Sequence, residues 1–347
     1  MNTSNPFHLQ ASLNAVHNQH RPALAFTART ADEFKAWQAA LREQARSLLG
    51  LSGRTLPTHP TTTLLQAVDR GTYMEEKYAL QAGNAQTGGE LAPMYLLIPK
   101  REAPFTPVLV FHGHNPSVQY VLGHYPDPAT AADRLAAHNN YAQALAEAGY
   151  FVCAIEQRGF GERISDQLGD QEWGGSCRHL SFEYMMNGRT LMGERCWDGM
   201  VAINYLRTRT DVRQDRLGCT GNSGGGTTTM WLALLDERIS VATPSCFFCT
   251  FRDSILGMWH CECNYVPNTL RFADMGDLMA AMAPRPLRII AGELDPIYPV
   301  TPARQQFATV ERAYALLGAA NRCSLAVHPG GHAHDHALSQ SWLNQWL

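Results

Sequence analysis

The stretch Gly221-Asn222-Ser223-Gly224-Gly225-Gly226 places a serine between glycines two before and two after it. A strand-like run, Arg216-Leu217-Gly218-Cys219-Thr220, leads into it, and TTTMWLALL at 227–235, with Met230, Leu234 and Leu235 at helical spacing, leads out. A serine at the apex of a sharp strand-to-helix turn needs such neighbours, because side chains there would collide with backbone. Ser223 is therefore the candidate nucleophile. An alcohol is weak at neutral pH, so it needs a base within hydrogen-bond reach and a carboxylate to orient that base. Both follow downstream. Asp295 sits in GELDP, after an apolar run ending at Ala291, and His332 sits in HPGGHAHDH, after a run at 324–327. Glu293, two residues nearer its strand, reads as a structural partner. His332 follows Gly330-Gly331, from which its ring can swing toward Ser223; His328 reads as a strand end, and His334 and His336 as facing a terminal helix. Acyl transfer also needs donors for a developing oxyanion. The N–H of Gly224, at a helix N-terminus, is one candidate, and that of His114, in HGHN after the run PVLVF, is the other.

Strands and helices must alternate to hold these residues together. Apolar or strand-like runs fall at about 73–80, 91–98, 107–111, 151–155, 216–220, 239–242, 287–291 and 324–327, with helical patterns at 141–148, 191–207, 227–235 and 302–317. Runs such as Val108-Leu109-Val110-Phe111 are apolar throughout, as parallel strands buried on both faces require. The pattern predicts an α/β fold with a mostly parallel central sheet flanked by helices, its functional loops at the strands' carboxyl ends. Residues 31–51, with Phe34, Trp37, Leu41, Ala45 and Leu48 on one face, read as an amphipathic helix, and 52–63 as a connection. This divides the chain into an N-terminal helical arm over 1–60 and a catalytic domain over 61–347. Residues 245–285 interrupt the rhythm and read as an inserted cap that would hang Met258, Trp259 and Tyr265 over the serine, making these three the candidate substrate-binding residues.

Composition narrows the function. The chain has 347 residues, 45% of them hydrophobic, enough for a large core. A net charge of −3 without a basic stripe argues against a nucleic-acid partner. MNTSNPFHLQASLNAVHNQHRP lacks the pattern of a secretory leader, and no apolar run approaches membrane-spanning length, so a cytoplasmic location and no membrane partner are expected. Cys246, Cys249, His260, Cys261 and Cys263 fall within 18 positions, but Cys261 and Cys263 stand only one residue apart, tight for paired zinc knuckles. Buried free thiols are the expectation, with zinc or a cap disulfide as alternatives, and neither a cofactor nor a metal is assigned.

The order Ser223, Asp295, His332 is that of α/β-hydrolases. The chain resembles that superfamily, near the acetyl xylan esterase and cephalosporin-C deacetylase type and the dienelactone-hydrolase-like esterases, over about residues 70–340. The resemblance rests on HGHN (112–115), EQRGFGER (156–163), GNSGGG (221–226), APRPLRIIAGELDPIYPV (283–300) and HPGGH (328–332). It implies an α/β-hydrolase fold, Ser223 as nucleophile, Asp295 as acid, His332 as base and the N–H groups of His114 and Gly224 as oxyanion donors. It further implies a small-molecule ester substrate with a short acyl group, acetyl first, and self-association. Gly224 stands where such esterases usually carry glutamine, and Glu156-Gln157 where they carry aspartate before the R-G pair. A serine rather than a cysteine nucleophile argues against dienelactone hydrolysis. Arg158, in the R-G-F-G loop, reads as a brace through carboxylate pairing, with a substrate carboxylate as its alternative partner. Two other functions fit this scaffold: a serine peptidase of prolyl-oligopeptidase type, although about 70 residues before the core are too few for a propeller, and a non-catalytic or metal-binding protein.

Overall fold

In the computed structural model, which describes residues 7–83, 89–165 and 175–347, one sheet takes in every strand of the described residues. In chain order these are β1 (Thr62–Asp69), β2 (Tyr73–Gln81), β3 (Leu91–Pro99), β4 (Pro107–Phe111), β5 (Phe151–Ile155), β6 (Gly218–Asn222), β7 (Val241–Ser245), β8 (Leu287–Gly292) and β9 (Cys323–His328). Across the sheet they run β1-β2-β3-β5-β4-β6-β7-β8-β9. Pairing is antiparallel from β1 through to the β3–β5 contact and parallel from β5 to β9. The parallel part matches the apolar runs: every residue of β4 and β5 is buried, as a strand covered on both faces must be. This is the predicted α/β-hydrolase architecture.

β1 was hidden in the sequence for a physical reason. It is an edge strand with Leu64 and Leu65 exposed and a register shift between Leu64 and Gln66, so it owes its place to the ladder with β2 rather than to a buried face.

The helices are α1 (Gln10–Gln19), α2 (Ala31–Leu48), α3 (Pro128–Ala136), α4 (Tyr141–Glu147), α5 (Cys177–Met186), α6 (Leu191–Leu206), α7 (Gly224–Leu235), α8 (Met275–Ala280), α9 (Val300–Leu316) and α10 (His336–Trp346). The Thr30 side chain accepts from Glu33 N–H to cap α2, whose Phe34, Leu41 and Ala45 are buried in the main core. From its other side Arg42 Nε and Arg46 Nη2 donate to the carbonyls of Leu234 and Leu235 at 2.9 and 3.2 Å, satisfying the open end of α7. α7 itself is buried along its whole length. Residues 245–285 are packed rather than suspended: Phe247, Phe248, Cys249, Ile255 and Val266 belong to the main core, while Arg252, Asp253, Leu256, Gly257 and Trp259 are among the residues left exposed.

The glycines of the turn are demanded by contact. A Cβ on Gly225 would collide with the Phe111 carbonyl oxygen at the end of β4, and one on Gly226 would lie 2.7 Å from the Ser245 oxygen at the end of β7. Gly225→Ala must therefore shift backbone on a buried seam, and a loss of about 3 kcal/mol or more of unfolding free energy is expected by denaturant titration. An unchanged midpoint would show that the seam can open without penalty.

Candidate active site

Ser223 lies between β6 and α7 with φ +57° and ψ −123°, a region that a residue with a side chain occupies only under strain. Neighbouring backbone holds it there. Its N–H donates to the Ser245 carbonyl at 2.9 Å, and its carbonyl accepts from Thr227 N–H at 2.9 Å. The turn thus presents the serine side chain at the carboxyl end of the sheet, where it lines a cavity of about 570 Å³.

Asp295 and His332 come from the loops after β8 and β9. One Asp295 oxygen accepts from the N–H groups of Ile297 and Tyr298 at 2.8 and 3.1 Å, and the other faces His332 Nδ1 at 2.8 Å. Burial alone would raise this carboxyl's pKa, but the His332 hydrogen bond and charge and the two N–H donors outweigh it and hold the group below its ordinary range. Asp295 is ionised at neutral pH. With Nδ1 engaged, Nε2 is the ring nitrogen left for a substrate-side proton. His332 lines the same cavity as Ser223, its ring stacked on Tyr298 with centroids 5.9 Å apart and planes at 14°. Glu293, the other acidic residue of this loop, points away to Arg304 at 2.8 Å.

The loop after β4 abuts the serine turn. A Cβ on Gly113 would lie 2.7 Å from the Asn222 oxygen and 3.1 Å from Ser223 Cβ, while one on Gly224 would lie 3.0 Å from the His114 ring. Gly113 therefore lies against Ser223, and the His114 ring against Gly224. Asn115 and Asn139 exchange amide hydrogen bonds at 3.1 and 2.9 Å, tying this loop to the segment before α4, and both line the cavity.

Met258 and Trp259 also line the cavity, as the cap reading expected. Tyr265 does not. Its hydroxyl donates to the Ile255 carbonyl at 2.7 Å and its ring packs on the core, so it supports the cap from within. Arg134, His260, Asn264 and Tyr298 line the cavity without any sequence signal, since each is brought in by the path of an irregular segment or a short helix.

Arg158 is a brace. It is 3% exposed and forms a two-pronged pair with Asp198 at 2.9 and 2.8 Å, with further contacts to Glu90, Glu194 and the Tyr184 hydroxyl. Arg163 shares Asp198 and Glu90. Burial would push the Asp198 pKa up, but these two guanidinium groups hold it down to about 2. With every prong committed to protein, Arg158 has none left for a substrate carboxylate.

The cysteine grouping divides. Cys246 Sγ donates to the Ala333 carbonyl, and Cys249 packs against Met275 and the Pro299 carbonyl. His260 meets Ser254 Oγ at 3.1 Å. Only Cys261 and Cys263 stay together, and all the cysteines are free thiols.

The profile of the Abhydrolase family matches residues 8–329, nearly the whole chain. The chain belongs to the Abhydrolase family. A Bacillus subtilis (strain 168) relative, YtaP, named as a candidate hydrolase, is 28% identical over 267 residues, which are 75% of this chain and 85% of that one. A Bacteroides fragilis structure described as a candidate acetyl xylan esterase superposes with a TM-score of 0.76 at 19% identity, covering 95% of this Abhydrolase chain and 84% of its own. A glucuronoyl esterase from Solibacter usitatus gives 0.68 at 15% identity, covering 93% and 96%. These structural likenesses establish the fold of this Abhydrolase member. Among its described residues no helix is long and apolar enough to cross a membrane.

The amide pair beside the serine lends itself to a double-mutant cycle. Asn115→Ala and Asn139→Ala each strand a buried amide and should lower unfolding free energy by about 1–3 kcal/mol. The double variant should lose less than the sum, because neither partner is then left unpaired. Strict additivity in denaturant titrations would show that the two amides do not act as a pair.

Proposed function

We propose that this protein is a serine esterase that cleaves short-chain acyl esters, acetyl esters foremost, by way of an acyl-enzyme. The observation that carries the reading is the ionised Asp295 bonded to His332 Nδ1 beside the cavity into which a strained Ser223 is turned. In this mechanism Nε2 of His332 takes the Ser223 proton as Oγ attacks the ester carbonyl. Asp295 fixes the ring and steadies the imidazolium. The N–H groups of His114 and Gly224 receive the charge that develops on the carbonyl oxygen, with the N-terminus of α7 adding its dipole. The imidazolium then protonates the leaving alcohol, and a water activated by the same nitrogen hydrolyses the acyl-serine.

The cavity favours a polar alcohol carrying a small acyl group. Its volume of about 570 Å³ accommodates a sugar-sized body, and its lining includes the polar Asn115, Asn139 and Arg134 as well as the apolar Met258 and Trp259. The folds described as acetyl xylan and glucuronoyl esterases support carbohydrate esters as the class to test first.

The decisive experiment compares p-nitrophenyl acetate, butyrate and octanoate, then acetylated xylo-oligosaccharides, in the wild type and in Ser223→Ala. Turnover should fall with acyl length and should drop by about 10⁴–10⁶ in kcat in Ser223→Ala and in His332→Ala, the double variant losing little more because the groups act as a unit. Turnover that survives Ser223→Ala would remove the nucleophile assignment.

The pH profile gives a separate check. The orienting carboxylate must be ionised, and Asp295, held below the usual carboxylate range, should add no ionisation of its own to kcat/KM within that range. The acid limb should therefore not steepen to a slope of two in the ordinary carboxylate range; such steepening would show that Asp295 is not held ionised.

A further inference from the structure

The His114 ring lies against Gly224 on one side, and one of its nitrogens reaches a cluster that no contiguous motif encodes. Its ring nitrogen and the sulfurs of Cys177, Cys261 and Cys263 all lie within 4.8 Å of one another. Cys177 opens α5, while Cys261 and Cys263 belong to the short turn around Glu262–Asn264, so three separate segments deliver the four groups. The three thiols are buried at 2, 7 and 2% exposure, and Cys263 Sγ is 3.3 Å from His114 Nε2. We propose that His114, Cys177, Cys261 and Cys263 bind one zinc ion as a structural Cys₃His site.

Distances and charge support this. Zinc–sulfur and zinc–nitrogen bonds of about 2.3 and 2.0 Å make a tetrahedron with edges of about 3.5–3.8 Å, so closing on the ion requires a contraction of at most about 1.3 Å at any edge. Three thiolates, one neutral imidazole and Zn²⁺ carry a net charge of −1, formed with release of three thiol protons. Arg195 supplies the matching charge. It is 1% exposed, its Nη2 lies 3.2 Å from Cys177 Sγ, and its other hydrogen bonds go to the Arg158 carbonyl. Among the described residues it has no carboxylate partner, and its Nη1 has no hydrogen-bond acceptor. Beside three neutral thiols its charge would rest on the Phe160 ring, 5.1 Å from its Cζ, and the Arg158 carbonyl, whereas beside an anionic zinc–thiolate centre it is paired. Soft sulfur ligands in a tetrahedral set favour zinc over magnesium or calcium.

With four protein ligands the ion has no open position, so its role is to hold structure. It would pin the loop after β4 to the Cys261 turn and to α5, fixing from behind the residue whose N–H is proposed to face the oxyanion. The proposal takes up the zinc alternative that the sequence left beside its expectation of buried free thiols. It also replaces the grouping that joined Cys246, Cys249 and His260 to Cys261 and Cys263.

Metal content tests the site without reference to turnover, so its failure and that of the esterase reading are separable. Untagged protein grown with zinc should contain one zinc per chain, released stoichiometrically as a mercurial reagent titrates the thiols. Cobalt exchanged for zinc should give thiolate-to-metal charge transfer and intense tetrahedral visible bands. Cys263→Ser should abolish both signals and Cys246→Ser neither. If Cys263→Ser fails to fold, the cobalt spectrum of the wild type still decides. Zinc well below one per chain after growth with zinc, an octahedral cobalt spectrum, or a disulfide among Cys177, Cys261 and Cys263 found by mass spectrometry would each overturn the proposal.

Discussion

The approach of α7 to the ends of β4 and β7 is the constraint on which the rest depends. Backbone meets backbone there, with Gly225 against the Phe111 carbonyl and Gly226 against that of Ser245. Only side-chain-free residues permit it, and only that proximity turns the chain sharply enough to place Ser223 at positive φ. Once the turn is fixed, the loops after β4, β8 and β9 have one place to converge. His332, Asp295 and the His114 backbone are then organised around a point set by contacts that involve none of their own side chains.

A second layer keeps those loops from relaxing. Arg158 and Arg163 join Asp198 of α6 and Glu90 ahead of β3, and Glu194 adds a further carboxylate from the first turn of α6. Buried charges are costly to desolvate, and such a cluster is weak evidence for net stability. Its value lies in geometry: each guanidinium meets more than one carboxylate, so the loop after β5 has a single arrangement that satisfies all of them. The Asn115–Asn139 pair does the same for the loop after β4 with neutral groups.

Much of this was legible in the sequence because it was local. The apolar runs of β4, β5 and β8 declared buried strands, and the glycines around Ser223 declared a turn. Asp295 and His332 stood just beyond strand-like runs, where function gathers in this architecture. Other elements carried no local signal. β1 has no buried face to impose a period. Tyr265 read as a cavity residue because aromatic content marks a cap without telling which way a ring points. Cysteine spacing was uninformative for a related reason: Cys246 and Cys249 resemble half of a knuckle, while the thiol that meets Cys261 and Cys263 is Cys177, placed there by α5 rather than by proximity in the chain.

The arginines of α2 extend the reach of the first fifty residues. α7 carries its positive end toward the serine, and at its other end Arg42 and Arg46 cover the Leu234 and Leu235 carbonyls, with Arg285 on Ala233. Twelve residues of helix, about 18 Å long, therefore run between cationic side chains at one end and the reaction centre at the other. α2 thus caps the far end of the helix whose N-terminus abuts Ser223, without itself lining the pocket. A homologue that replaced this helix with another would inherit the same turn and the same histidine, yet would have to cover the Leu234 and Leu235 carbonyls by other means.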